Sequence, residues 1–266
     1  MNKKSAVIIL GIVLLGLLFY FFKDGVFFGG SGGSRPSGFQ PSKIKVEASF
    51  YPLYYFSKRI AGERAEVTNI TPAGAEPHSY EPTARAIARI ESGDILVLNG
   101  DNLEVWGERI KNNLNRNRVT IITAGEGLAA RQIAEDGKTA TDPHIWLSPK
   151  LAEKMAERLL QGFGRADGEN AGYYTENANS LKAELEALDN EYAAGLHDCA
   201  IRDIITSHAA FGYLASAYNL NQISIAGLSP DAEPSAKQLA EVVGLAKENN
   251  VKYIFNSESI FLESKY

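Results

Sequence analysis

The sequence predicts an α/β protein of two lobes with mostly parallel sheets, the lobes joined by one long helix. Three observations carry this. From Lys43 onward, short runs rich in β-branched and apolar residues alternate with stretches of helical periodicity, the pattern of parallel sheets with helices on both faces. The alternation then gives way to a proline-free segment carrying one apolar stripe. Beyond Leu196 it resumes.

In chain order, strands are expected at 44–49, 65–70, 95–99 and 119–123, each rich in β-branched or apolar residues. Helices are expected between them at 53–61, 82–92 and 103–111. Pro82 suits a first helical position, where no amide hydrogen is needed. A further helix is expected at 149–163. The long segment follows, from about Gly168 to Leu196, with glycine only near its ends. Tyr174, Ala178, Leu181, Leu185, Leu188, Tyr192 and Leu196 recur there at spacings of three and four, one face of one helix. At 1.5 Å per residue it would reach roughly 40 Å, the length of a small domain. Packing on a core accounts for the stripe, and the position between two α/β halves suggests a stiff connector.

The second half then reads as strand 203–207, helix 210–218, strand 222–226, helix 235–249 and strand 253–257. Only IFLESKY follows the start of the last strand's exit, too little to cover a parallel sheet that needs both faces buried. The expectation is a second lobe truncated at its C-terminus. The organisation is therefore an N-terminal lobe at 43–166, a connecting helix at 167–197 and a C-terminal lobe at 198–266.

Ahead of these lie two segments of other kinds. Residues 29–42 read GGSGGSRPSGFQPS, a flexible linker without apolar periodicity. Residues 1–28 read as a membrane anchor or a signal segment: Lys3 and Lys4 precede an apolar run at 6–22, which Lys23-Asp24 closes. That run is at the lower limit for spanning a bilayer. Phe19, Tyr20, Phe21 and Phe22 make a poor peptidase site, and no cysteine follows for lipidation. An uncleaved anchor with the body outside is the expectation.

Composition sets further bounds. The chain is 45% hydrophobic and 22% charged with net charge -5, an ordinary globular balance. Acidic and basic residues are interspersed without a basic block, so no nucleic-acid partner is indicated. Cys199 is the only cysteine, which excludes an intrachain disulfide and any CxxC motif. It reads as a small buried hydrophobe.

Of the four histidines, three share a setting. His78 lies between the strand ending near Ile70 and the helix expected at Pro82. His144, in TDPHIWLSP, directly precedes the helix at Pro149. His208 follows a strand at the mouth of a helix. Ligands of open parallel sheets bind beyond the carboxyl ends of strands. Read singly, each histidine fits a hydrogen-bonded structural role; three in one crevice-facing setting bring a shared metal site level with that reading. His197, at the end of the long helix, reads as structural, where it complements the helix dipole. Trp146, Tyr80, Phe211 and Tyr213 are candidates to wall such a site or to belong to the core. Asp142 is a candidate acceptor for His144 or a turn residue before proline.

The phrases AEPHSYEPTARAIARIESGDILVLNG, DPHIWLSP, IITSHAAFGYLASAYNL and IAGLSPDAEPSAKQLA resemble the zinc- and manganese-binding receptors of ABC transporters. These form bacterial solute-binding protein family 9, which includes the zinc-uptake complex component A proteins. The resemblance runs from about Lys43 to the C-terminus. It implies two α/β lobes on one rigid helix with the metal bound between them, His78, His144 and His208 as its ligands, and a monomer that delivers the ion to an ABC permease. Manganese members carry a glutamate at the third ligand position, so His208 points to Zn2+ over Mn2+, since imidazole suits zinc and carboxylate suits manganese.

The sequence departs from that family by lacking its histidine- and acid-rich loop, its lipidated cysteine and the C-terminal part from which many members draw a fourth ligand, an aspartate. Glu233 and Glu258 are candidate carboxylates, each as readily a surface group. The rival class is a zinc hydrolase, but no HExxH helix or GxSxG elbow is present, so no enzymatic activity is expected. A surface adhesin has no positive feature. Because ligating imidazoles must be neutral, zinc affinity is expected to fall as pH drops through ~6.5.

Overall fold

A computed structural model describes residues 43–255 apart from 101, 102, 136, 137, 232, 233, 250 and 252. The apolar run at 6–22, the linker, Glu233, Glu258 and the chain after 255 lie outside the described residues. Among the described residues no helix is long and apolar enough to cross a membrane.

The first lobe is a parallel sheet of β1 (Ile44–Ala48), β2 (Ala65–Asn69), β3 (Ile95–Leu98) and β4 (Thr120–Thr123) in the order β2-β1-β3-β4. Parallel neighbours need crossovers, which α1 (Tyr51–Ala61), α2 (Ala84–Ser92) and α3 (Gly107–Asn113) supply. Every residue of β3 is buried. Side chains alternate across a strand, so Ile95 and Val97 join one core with Val46, Leu53 and Met155, while Leu96 and Leu98 join another with Ile90 and Trp106. Each such buried aliphatic side chain contributes roughly 1.5–3 kcal/mol.

Two helices start later than their sequence pattern suggests, for reasons visible in the hydrogen bonds. Pro82 is not the first residue of α2; the Thr83 hydroxyl caps the helix by accepting from the Ala86 amide, and α2 begins at Ala84. The segment from Leu103 stays in turns before α3 because the buried Glu104 carboxylate turns back to accept from the amides of Asn99 (2.7 Å) and Gly100 (3.1 Å).

Beyond β4 comes an antiparallel hairpin, β5 (Gln132–Glu135) with β6 (Lys138–Thr141), that sequence patterning misses. A 3-10 turn, Ile145–Leu147, leads into α4 (Pro149–Ala166). A Cβ at Gly162 would lie 2.1 Å from Ile122 Cδ1, so glycine there is what lets α4 seat against β4.

The long helix is α5 (Ala171–Leu196), preceded by a 3-10 turn over Gly168–Asn170. Its stripe serves two lobes. Tyr174, Ala178, Leu181 and Leu185 are buried in the first-lobe core. Leu188 is exposed, and beyond it contacts to the second lobe begin: Tyr192 stacks on Tyr218 at 5.2 Å, and Asp189 accepts from the Tyr218 hydroxyl at 2.9 Å while also pairing with Lys150 of the first lobe at 3.2 Å. That lobe is a parallel sheet of β7 (Asp203–Thr206), β8 (Asn221–Ser224) and β9 (Ile254–Phe255) in the order β8-β7-β9, with α6 (Gly212–Ala217) and α7 (Ala236–Glu248). Ser235 and Gln238 close the start of α7 as a capping box. Cys199 is half-buried near the end of α5, its Sγ 3.8 Å from the Gly195 carbonyl, not the fully buried hydrophobe its apolarity suggests.

Candidate metal centre

The connections leaving β2, β6 and β7 converge, and each brings a histidine. Ligating atoms of His78, His144 and His208 all lie within 4.8 Å of one another. The Nε2 atoms of His78 and His144 are 3.1 Å apart, close to the ~3.3 Å between two nitrogens each ~2.0–2.1 Å from one tetrahedral zinc. Ring centroids are 5.0 Å apart for His78–His144, 5.2 Å for His144–His208 and 6.3 Å for His78–His208. His197 takes no part; it is exposed at the end of α5, paired with Asp198 at 2.7 Å.

Each ring is held differently. His144 is nearly inaccessible, and the Asp142 carboxylate grips it through one oxygen, which accepts from the backbone amide at 3.0 Å and faces Nδ1 at 2.8 Å. A proton on Nδ1 leaves the Nε2 lone pair directed at the other histidines. The loop is fixed from its far side by Asn99, whose side-chain amide donates to the Pro143 carbonyl at 3.1 Å. His208 is buried too, and its carbonyl accepts from the Thr206 hydroxyl (2.8 Å) and the Gln222 amide (3.1 Å). His78 belongs to the connection at 70–83, closed by local turns such as Tyr80 N to Glu76 O, and its amide donates to the Glu76 carboxylate at 3.2 Å.

Burial disfavours charge on the His78 and His208 rings, and the neighbouring His144 imidazole adds to the effect on both. The pKa of His78 falls to about 3 and that of His208 to about 4. Both therefore offer lone pairs at neutral pH, as ligation requires.

A cavity of about 620 Å³ opens over the three rings between the lobes. Phe50, Tyr51 and Trp146 line it from the first lobe, Ala210, Pro230 and Asp231 from the second. Trp146 meets both readings left open for it: it lines the cavity 5.2 Å from the His144 ring and packs on the main first-lobe core. Tyr80 packs on the second first-lobe core and Tyr213 within the main one, while Phe211 does not line the cavity. Sequence reasoning passes over Glu76 and Asp231, both in the cavity lining. Each sits beside a proline, Glu76 before Pro77 and Asp231 after Pro230, a signal of fixed backbone at a site but not of side-chain direction.

Residues 46–261 match the family model described as "Zinc-uptake complex component A periplasmic". The chain is 36% identical over 241 residues to the high-affinity zinc uptake system protein ZnuA of Bacillus subtilis, covering 85% of this chain and 76% of that protein. It is 38% identical over 228 residues to the zinc-binding lipoprotein AdcA of Streptococcus pneumoniae; 82% of this chain is covered but only 46% of that protein, so the chain spans about half the length of AdcA. The crystal structure of the Zn(II)-bound ZnuA-like domain of S. pneumoniae AdcA superposes with a TM-score of 0.69 at 38% identity, over 81% of this chain and 79% of that one.

Proposed function

The chain belongs to the zinc-uptake complex component A family, and on that premise we propose that it is an extracytoplasmic receptor that captures Zn2+ and hands it to the permease of an ABC importer. His78, His144 and His208 hold the ion. The observation that carries this is the convergence of three imidazole nitrogens within 4.8 Å, two of the rings buried, at the floor of an inter-lobe cavity. An all-nitrogen set favours zinc over manganese. Asp231, which lines the cavity and acts electrostatically on His78, supplies a carboxylate nearby. The lobes at 43–166 and 198–266 are carried by the helix at 167–197, and the apolar segment at 6–22 tethers the single-copy receptor to the membrane.

Native mass spectrometry of the full chain, with zinc and manganese in competition, tests the reading. One zinc per chain is expected, lost in His78→Ala, His144→Ala and His208→Ala and kept in His197→Ala. Equal effects from all four replacements, or from none, would overturn the site. Preferential manganese loading would reassign the cargo. Turnover of ester or peptide substrates would reassign the class.

A further inference from the structure

The hairpin β5–β6 has its base at Arg131 and Asp142, where the Asp142 amide donates to the Arg131 carbonyl at 3.0 Å. Asp142 is the residue that grips His144 through one carboxylate oxygen. Its other oxygen, Oδ2, is buried and lies 3.4 Å from Arg131 Nε, an ion pair lacking hydrogen-bond alignment. The same guanidinium reaches the second lobe, where Nη1 donates to the Ser216 hydroxyl at 2.7 Å. It also lies over the Tyr213 ring, 5.8 Å from its centroid.

Tyr213 completes the arrangement from α6. Its hydroxyl donates to the Asp142 carbonyl at 2.9 Å and accepts from the Arg131 amide at 3.1 Å. Tyr213 lies only five residues after His208, on the helix that His208 leads into. The segment that brings His208 to the site thus grips the residue that orients His144. Gly212 is part of this: a Cβ there would lie 2.5 Å from Arg131 Nε and 2.8 Å from Cζ.

We propose that Arg131 and Tyr213 are positioning residues that set the separation and angle between His144 and His208, and so match the site to a small tetrahedral cation. Partners of a metal-bound imidazole fix its tautomer and direction. Here that support is divided between the lobes, so a docked second lobe is a condition for a correctly aimed His144. The inference rests on the three-histidine reading and adds to it two residues that touch no metal.

The test uses the full chain with Zn2+ and with Co2+ as a spectroscopic stand-in, whose visible absorption is intense in tetrahedral and weak in octahedral sites. Arg131→Gln and Tyr213→Phe are expected to weaken zinc binding about tenfold, within the range for partners of metal ligands. They should also lower the cobalt absorption and narrow the preference for zinc over manganese, while Arg131→Lys keeps more of each. Gly212→Ala removes no functional group and favours helix, yet it displaces the guanidinium, and it should change the cobalt spectrum in the same direction. It decides the matter if either other variant fails to fold. Folded variants with wild-type zinc affinity and spectrum would overturn the proposal, as would a loss of thermal stability with the cobalt spectrum unchanged. His144→Ala serves as the control: if it too binds zinc normally, the three-histidine reading fails first.

Discussion

Asp142 holds His144 twice with a single oxygen, Oδ1 accepting from the backbone amide at 3.0 Å and facing ring Nδ1 at 2.8 Å. One carboxylate thereby fixes both the turn of the chain and the tautomer of the ring. Asp142→Asn keeps the shape but replaces the carboxylate that fixes the tautomer and direction of the ring by a neutral amide. Zinc affinity should drop by about 10–100-fold, read by competition with a chromophoric chelator. An unchanged affinity would mean that the carboxylate only shapes the turn.

The three histidine replacements should differ in stability although all three lose zinc. His144→Ala leaves the Asp142 carboxylate buried beside an empty space, a loss of about 1–3 kcal/mol for an unsatisfied polar group. His78→Ala removes a ring whose polar contacts are to His144 and to Glu76 on a partly exposed connection, and should cost less. Urea unfolding of the metal-free proteins measures the order; a reversed order contradicts the burial argument.

Acid should act on the metal-free fold through the same rings. An unfolded histidine takes up its proton near ~6.5, whereas His78 and His208 do so only near pH 3 and pH 4, chiefly because burial penalises their charge. Between those limits the unfolded chain binds more protons than the folded one, so stability rises with pH. The contribution is intact above ~6.5 and lost as pH falls toward 4 and 3. The melting temperature should therefore decline from pH 7 to pH 4, and His78→Gln or His208→Gln should flatten the slope. At His78 and His208, protons compete with zinc only near pH 3 and pH 4, so these two rings should keep their lone pairs for the ion in milder acid than the free-imidazole value near ~6.5 suggests.

Gly162→Ala should destabilise the first lobe without touching the site. Two effects oppose each other: alanine favours helix by about 1 kcal/mol, while overpacking a core costs about 1–3 kcal/mol. With Ile122 Cδ1 and Cγ1 at 2.1 and 2.4 Å from the new methyl, overpacking prevails. Adding Ile122→Val removes the nearer atom and should recover part of the loss in urea unfolding, with zinc affinity constant throughout.

How much of this was legible in the sequence depends on what each residue answers to. The core strands were readable because β3 is continuously apolar and buried on both faces, a property of its own residues. The histidines were readable by setting, at the ends of β2 and β7 and at the head of the helix after Pro149, and then by motif. The hairpin escaped because Gln132, Thr139 and Thr141 carry no apolar alternation; the Asp136-Gly137 dipeptide was its one sequence cue. Arg131 escaped with it, since its place beside Asp142 exists only once the hairpin register closes. The late start of α3 was likewise hidden, set by a Glu104 carboxylate turning back to two amides.

If His78, His144 and His208 hold the ion as proposed, their unequal fastening separates how tightly it is held from how quickly it is exchanged. His144 and His208 are anchored by buried partners, whereas His78 rides on a connection whose backbone bonds are mostly its own short turns. On the three-histidine reading, the buried pair is the fixed part of the seat. The third donor is then the door, and an ion would enter or leave by the side that yields with the fewest bonds broken. Changes to the turn residues around Glu76 should thus alter the exchange rate of zinc more than its equilibrium affinity, a difference that stopped-flow competition with a chelator reads directly.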